Sequence, residues 1–214
     1  MPFTRIELVA MAVDEGRLHV LLGRRAQAPH AGRWALPGGV LRIDLDADLD
    51  GAVQRVAKER LGVPLPQPEQ VTAVGGKRRD PRAPWALSVV YRSTVRPAQL
   101  AAVAGKRLDE LAWVEADAAA SDRALAFDHA ALVGTAVEQL RSEVRGLRFP
   151  AGLMDEHFTL GELQAFSEAV LGHALDKSSF RRRLDAAAVV EAIPGEMRTG
   201  PNRPAQVFRL AGGH

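Results

Sequence analysis

Three groups of side chains in this 214-residue sequence have the types and spacing to do chemistry. The first is Arg55-Val56-Ala57-Lys58-Glu59-Arg60-Leu61-Gly62-Val63, which begins sixteen residues after Leu36-Pro37-Gly38-Gly39. Glutamates repeated along one face of a helix here would gather magnesium ions, which bridge a diphosphate and activate water for in-line attack. Only Glu59 is present, with Arg60 beside it and Arg55 one turn away. One carboxylate holds a divalent ion weakly and a neighbouring guanidinium opposes it. Glu59 therefore either keeps a weak residual magnesium or pairs with an arginine. Asp44, Asp46, Asp48 and Asp50 add carboxylates in the preceding loop, which reads as a solvated acidic segment ending in a helix cap.

The second group is GKRRDPR, Gly76 to Arg82. The forks of Arg79 and Arg82 suit diphosphate oxygens and the Asp80 carboxylate suits ribose hydroxyls; the alternative is an ordinary solvated loop. The third is KSSFRRRL, Lys177 to Leu184. On a helix with Phe180 and Leu184 turned inward, Ser178, Ser179, Arg182 and Arg183 project outward, with Lys177 and Arg181 at the sides. Serine and lysine at a helix start suit phosphates, and arginines one turn further on reach guanine edges in the major groove. Arg198, Asn202 and Arg203, in PGEMRTGPNRP, would reach the DNA backbone or minor groove. From Lys177 to Arg209 seven basic residues face three acidic ones, which suits DNA; the alternative is a solvated face of a protein-binding module. His129 and His157 have no partner at metal-ligand spacing, so they read as core or surface residues. Trp34 and Trp85 offer rings either for packing or for an adenine.

The elements that must position these groups fall into two parts. Thr4–Val13 and Leu18–Leu22 alternate as a hairpin about Asp14-Glu15-Gly16, and Pro37-Gly38-Gly39 reads as a tight turn. Asp48 caps a helix with the apolar stripe Leu49, Ala52, Val53, Val56 and Ala57, and Gly62 stops it. Residues 71–74, 86–95 and 111–114 read as strands, and 128–144 as an amphipathic helix that is either core or part of a dimer seam. The pattern changes at Arg148-Phe149-Pro150-Ala151-Gly152, placing a boundary between 1–149 and 150–214. Beyond it, Thr159-Leu160-Gly161-Glu162 is a capping box opening a helix of about three to four turns. Asp176 caps the next helix, with Phe180, Leu184 and Ala187 as its core face. Two short apolar runs then flank the arginine-bearing tip, which makes a winged helix-turn-helix. The sequence has no cysteine, a net charge of +2 and no apolar run long enough for a membrane span. It lacks the layout of a signal peptide, and a cytoplasmic setting without disulfides is expected.

WALPGG, followed by a loop and a helix ending Glu-Arg-Leu-Gly-Val, resembles the Nudix signature box. Arg55 falls on that pattern's arginine, Glu59 on the first of its paired glutamates, and Gly62-Val63 on its close. Ala47, Val56 and Arg60 occupy the other three acidic positions, and the loop after Gly39 is two residues longer than the pattern. Together with RDPR before a strand and FTLGELQAFSEAVLGHALDKSSFRRRL, the chain resembles the NrtR family of Nudix-related transcriptional regulators of NAD metabolism. The resemblance covers nearly the whole chain. It implies an α+β fold, a Nudix-like α/β/α sandwich with a mixed sheet followed by a small winged helix. It implies an effector of the ADP-ribose class held around Arg33, Gly38, Gly39, Arg55, Glu59, Arg79, Asp80 and Arg82. It further implies operator DNA as partner, a homodimer, repression rather than catalysis, and no required cofactor, with magnesium entering only if hydrolysis persists. Two alternatives stay open: an active Nudix hydrolase of nucleoside diphosphate derivatives, and a regulator of sugar catabolism with a sugar phosphate effector.

Overall fold

The computed structural model describes residues 3–150, 152, 154–199 and 204–211. Two long strands, β1 (Phe3–Asp14) and β2 (Arg17–Arg25), form the expected antiparallel hairpin. β1 is buried on both faces, which explains its nearly unbroken apolar run. A two-residue β3 (Trp34–Ala35) pairs with β2, and β4 (Gly38–Val40) pairs antiparallel with β1. After α1 (Leu49–Leu61) come β5 (Glu69–Lys77) and β6 (Trp85–Thr94). β6 lies parallel to β1 with β5 on its outer side, and β7 (Leu108–Glu115) closes the other side on β2. α2 (Ala116–Ser121) and α3 (His129–Arg145) follow. The mixed sheet lies between α1 and the α2–α3 pair. Ile6, Leu8, Ala10 and Ala12 of β1 join the core beneath α1, while Val9 and Met11 join the one beneath α3.

Caps fix the helix ends as the sequence predicts. The Asp48 carboxylate accepts from Gly51 N at 2.7 Å, and Gly62 ends α1 at φ +72°. The reading of Pro37-Gly38-Gly39 as a turn is corrected, because Gly38 and Gly39 are extended residues of β4. What they need is closeness. A Cβ on Gly38 would lie 1.9 Å from Glu7 Oε2 and 2.7 Å from the Ile6 carbonyl, and one on Gly39 2.8 Å from Val56 Cγ2. Leu49 departs from the expected stripe, being 38% exposed, because the first turn of α1 overhangs the sheet.

The C-terminal module packs a three-stranded sheet, β8 (Phe158–Thr159), β10 (Ala205–Leu210) and β9 (Val190–Arg198), against α4 (Leu160–Leu171) and α5 (Lys177–Ala187). Both halves of the Thr159/Glu162 capping box form, at 3.2 and 2.7 Å. The Asp176 carboxylate caps α5 through Ser179 N at 2.8 Å. Phe180 and Leu184 are buried as expected; Ala187 is exposed, since α5 has already left the core there. Leu163, Phe166, Val170, Phe180 and Leu184 belong to the same continuous core as Val9, Met11, Val133 and Leu140. Among the described residues no helix is long and apolar enough to cross a membrane.

Gly38→Ala is expected to lose about 1–3 kcal/mol or more in urea unfolding, because backbone and a buried carboxylate must both move. Gly134→Ala in α3, where the new methyl would sit 3.8 Å from Ala120 Cβ, should gain roughly 0.5–1 kcal/mol. Equal effects at the two sites would contradict the close-approach account.

Candidate functional site

The box helix has exchanged its acidic chemistry for internal contacts. Arg55 donates to both oxygens of Asp46 at 2.6 and 2.7 Å and to the Val40 carbonyl, and it lies 3.4 Å from Glu59. The Arg55 hydrogen bonds, against the opposing effect of burial, hold the Asp46 carboxyl below the usual carboxylate range. Val56 is fully buried against Gly39. Arg60 is 8% exposed and donates to the carbonyls of Gly38 at 2.7 Å and Lys106 at 2.8 Å, tying α1 to β4 and to the chain before β7. Its burial and the charges of Arg107, Arg5 and Arg55 lower its pKa, against Glu59. The residues therefore do not fit magnesium. Asp46 is consumed by Arg55, Glu59 faces the same arginine, and a guanidinium fills the position of the second paired glutamate. Among the described residues no three His, Cys, Asp or Glu side chains group as metal ligands.

Chemistry is instead concentrated on the other side of β4. Arg5 and Glu7 share one face of β1 and pair at 2.6 Å, both nearly inaccessible to solvent. Ser88 Oγ lies 3.4 Å from Glu7 Oε1, and His129 Nε2 lies 3.8 Å from it. His129 Nδ1 accepts from Leu36 N at 2.8 Å, so burial, against the pull of Glu7, keeps the ring neutral and pushes its pKa down to about 4. Above this layer Arg79 grips Asp128 through two 2.7 Å bonds and donates to the Val74 carbonyl. Asp80 is buried and bound by Arg82 through the Arg82 backbone at 3.0 Å and its guanidinium. Burial would raise the Asp80 pKa, yet the Arg82 hydrogen bonds with the charges of Arg82 and Arg5 outweigh it and lower it.

Around Phe127 the charge is largely positive. Arg25 lies 4.9 Å and Arg5 5.8 Å from its ring centroid, and His30 meets it edge-on at 4.7 Å. Burial and the repulsion of Arg5 and Arg82 lower Arg25 to about 10. Burial, Arg33 and Arg25 likewise depress His30. Phe127 takes φ +58°, a strained angle for a bulky residue and one often found at ligand clamps. The void enclosed by Glu7, Ser88, Asp80, Asp128 and His129 is only about 10 Å³, room for one water at most.

The expected site residues thus separate. Gly38 and Gly39 form a thin wall with Arg55 and Glu59 on the α1 side and Arg79, Asp80 and Arg82 on the other. Arg33 stands at the edge near His30. Sequence reading missed Arg5, Glu7, Arg25, Phe127 and Asp128. The signal for the first two was an opposite-charge pair two residues apart inside an otherwise apolar strand. Trp34 packs into the core and Trp85 lies across Gly75.

On α5, Lys177, Ser178, Arg181 and Arg182 are exposed. The Asp176 carboxylate occupies the helix start, so a phosphate there depends on the Lys177 and Ser178 side chains rather than on free amides. Two of the expected DNA contacts are engaged elsewhere. Arg183 donates to the Arg145 carbonyl at 2.5 Å, and Arg198 is held by both oxygens of Glu162 and by the His157 carbonyl. Both contacts lie at the surface, Arg183 reaching an open helix-end carbonyl and Arg198 the carboxylate that also closes the capping box. Asn202 and Arg203 lie outside the described residues.

Residues 4–134 match the NUDIX domain and residues 150–210 the NrtR DNA-binding winged helix domain. The ADPR responsive transcriptional repressor NtrR of Acinetobacter baylyi is 36% identical over 98% of this chain and 82% of its own length. The crystal structure of Shewanella oneidensis NrtR complexed with a 27mer DNA matches at 31% identity and a TM-score of 0.76, over 97% of this chain and 93% of that one. The NUDIX domain of that protein complexed with ADP ribose matches at 29% identity and a TM-score of 0.59, over 65% of this chain and 89% of that one.

The buried imidazole sets a pH dependence. Unfolded, His129 takes up a proton as pH falls through about 6.5; folded, it stays neutral down to about 4. The unfolded state binds more protons within that window, so stability falls as pH drops from 6.5 to 4, by up to roughly 1.4 kcal/mol per pH unit. The share from Asp46 and Asp80, whose carboxyls are held low, is lost only at still lower pH. His129→Asn, whose amide oxygen can accept from Leu36 N, should flatten the 6.5-to-4 limb of a stability–pH curve. An unchanged limb would place its origin elsewhere.

Proposed function

The chain belongs to the NrtR family, with a NUDIX domain followed by an NrtR-type winged helix, and from that premise we propose that it is a cytoplasmic transcriptional repressor of NAD metabolism whose operator affinity is set by ADP-ribose. The observation that carries this reading is the replacement of a metal site by arginine contacts beside a cationic, aromatic-lined cluster. Arg60 and the Arg55–Asp46 pair stabilise the box helix without a divalent ion, which fits binding without hydrolysis and without a required cofactor. The diphosphate of the effector meets the forks of Arg25, Arg79 and Arg82 near His30 and Arg33, with Asp80 or Asp128 accepting from ribose hydroxyls. The backbones of Gly38 and Gly39 admit it closely, with Arg55 and Glu59 behind them. Because the described void is small, binding must separate side chains that now hold one another, Arg79 and Asp128 first.

The winged helix supplies the DNA contact, through Arg182 and Arg181 to base edges and Lys177, Ser178 and Ser179 to phosphates. A homodimer would set two such helices on a two-fold related operator. The two modules divide near Phe149, at the end of 1–149.

Two measurements test the reading. ADP-ribose titrated into a complex of the full chain with a duplex selected from random-sequence DNA should change DNA affinity by roughly 5–150-fold. No shift would remove ADP-ribose as effector. Arg182→Ala should weaken binding to the same duplex by about 1–3 kcal/mol while leaving thermal unfolding unchanged. With magnesium and ADP-ribose, no turnover is expected; turnover that disappears in Glu59→Gln would instead make the chain a hydrolase.

A further inference from the structure

The helix α3 touches both candidate regions with its two ends, and polar contacts hold each end. At its start Asp128 stands in the N-cap position but does not cap the helix with its side chain. Both carboxylate oxygens are given to Arg79, on the loop between β5 and β6. At its finish the Arg145 carbonyl, one of the acceptors every helix leaves open in its last turn, receives Arg183 of α5. One turn earlier Arg141 donates to the Val170 carbonyl at the end of α4 at 2.9 Å and pairs with Asp117 of α2. Arginines thus fasten α3 to its neighbours at the C-terminal carbonyls of α4, reached by Arg141, and of α3 itself, reached by Arg183 of α5; a cation there also complements the helix dipole. Between these ends α3 is locked by Leu132, Val133, Ala136, Val137, Leu140 and Val144 in the shared core. Seventeen residues make a rod of about 25 Å.

Arg183 differs in this from its neighbours. Among the described residues Arg181 and Arg182 have no polar partner, whereas Arg183 is turned back onto α3. Arg183 stays exposed, but one of its guanidinium nitrogens, Nη2, is already given to α3, which links the recognition helix to that rod.

We propose that α3 is the coupling element of the response, with the Arg79–Asp128 clasp as its input and the Arg183–Arg145 contact as its output to the recognition helix. This rests on the regulator reading above. A ligand that takes the Arg79 fork frees Asp128, the first turn of α3 relaxes toward its own cap, and the helix shifts as a packed body. Arg183 carries that shift into the angle of α5. Arg183 is accordingly a positioning residue and Arg182 a DNA-contacting one.

The test is a double-mutant cycle without any nucleotide, so that it does not depend on the effector assignment. Full-length wild type, Asp128→Ala, Arg183→Ala and the double variant are titrated against the selected duplex by fluorescence anisotropy, with Asp128→Asn as the milder variant should Asp128→Ala fold poorly. Opening the clasp should change DNA affinity at least threefold in the wild-type background and by less than 1.5-fold with Arg183→Ala. The two sites lie at opposite ends of the rod and share no partner, so simple additivity is the ordinary expectation and would overturn the proposal. No change in either Asp128 variant would overturn it too. In a second arm, ADP-ribose should bind Arg183→Ala within threefold of wild type by calorimetry yet shift its DNA affinity several-fold less. A full shift in Arg183→Ala contradicts the coupling alone, whereas no shift in wild type contradicts the effector reading and leaves the nucleotide-free cycle to decide the coupling.

Discussion

One hydrophobic core passes from the central sheet through α3 into the winged module, and every other feature is arranged around that continuity. Val9, Met11 and Leu22 of the sheet, Val133, Val137 and Leu140 of α3, and Leu163, Phe166, Phe180 and Leu184 of the last module belong to one buried cluster. A module of about sixty residues buries little on its own and is marginal alone. Here it completes its core against another. The junction is tight as well as apolar. Gly152, at φ +87°, brings its backbone so near β6 that a Cβ would lie 2.4 Å from the Thr94 carbonyl, and Arg96 pairs with Asp155 just beyond. A winged helix held this way cannot respond by swinging on a loose tether. Its orientation changes only if the helices it packs against change.

Electrostatics follow the same economy. Arginines are spent on carbonyls and carboxylates of the chain itself. Arg60 binds two carbonyls, Arg55 binds Asp46, Arg92 bridges Glu69 and Glu143 from a fully buried position, and Arg198 reinforces the capping box of α4. The buried ion pairs among them contribute little net stability compared with apolar packing, but breaking one partner leaves an uncompensated charge. They make good switches for that reason. The clasps of Arg79 on Asp128 and of Arg82 on Asp80 are partly exposed beside the Glu7–His129 layer, so an anionic ligand can contest them, and of the two only the first holds the start of α3.

Much of this was legible in the sequence. The elements, the capping box, the Asp48 and Asp176 caps and the Gly62 stop follow from local rules, and there the local rules held. Phe180 and Leu184 went inward because their spacing demands it. Apart from Leu49 and Ala187, which lie at helix ends, the errors involve partners distant in sequence. Gly38 and Gly39 read as a turn because their conformational freedom is local knowledge, whereas their closeness to Glu7 and Val56 is not. Glu7 and His129 meet at a sequence separation of 122, so neither looked like a site residue by itself. Arg183 is exposed, as helical geometry expects, and Arg198 half-buried; what was not legible is that each meets an acceptor on another element. The family resemblance supplied the architecture and the effector class, while the carbonyls of Gly38 and Lys106 that Arg60 binds were not legible, both lying far from it in sequence.

The shared core is tested most directly by native-state hydrogen exchange on the full chain. Amides of α4 around Phe166 and Val170 should open with the same free energy and the same urea dependence as those of β1 around Val9 and Met11, because both are released only when the common core is lost. If α4 and α5 exchange through a separate, lower-energy opening while β1 remains protected, the modules are independent bodies and the account of a core-borne signal fails.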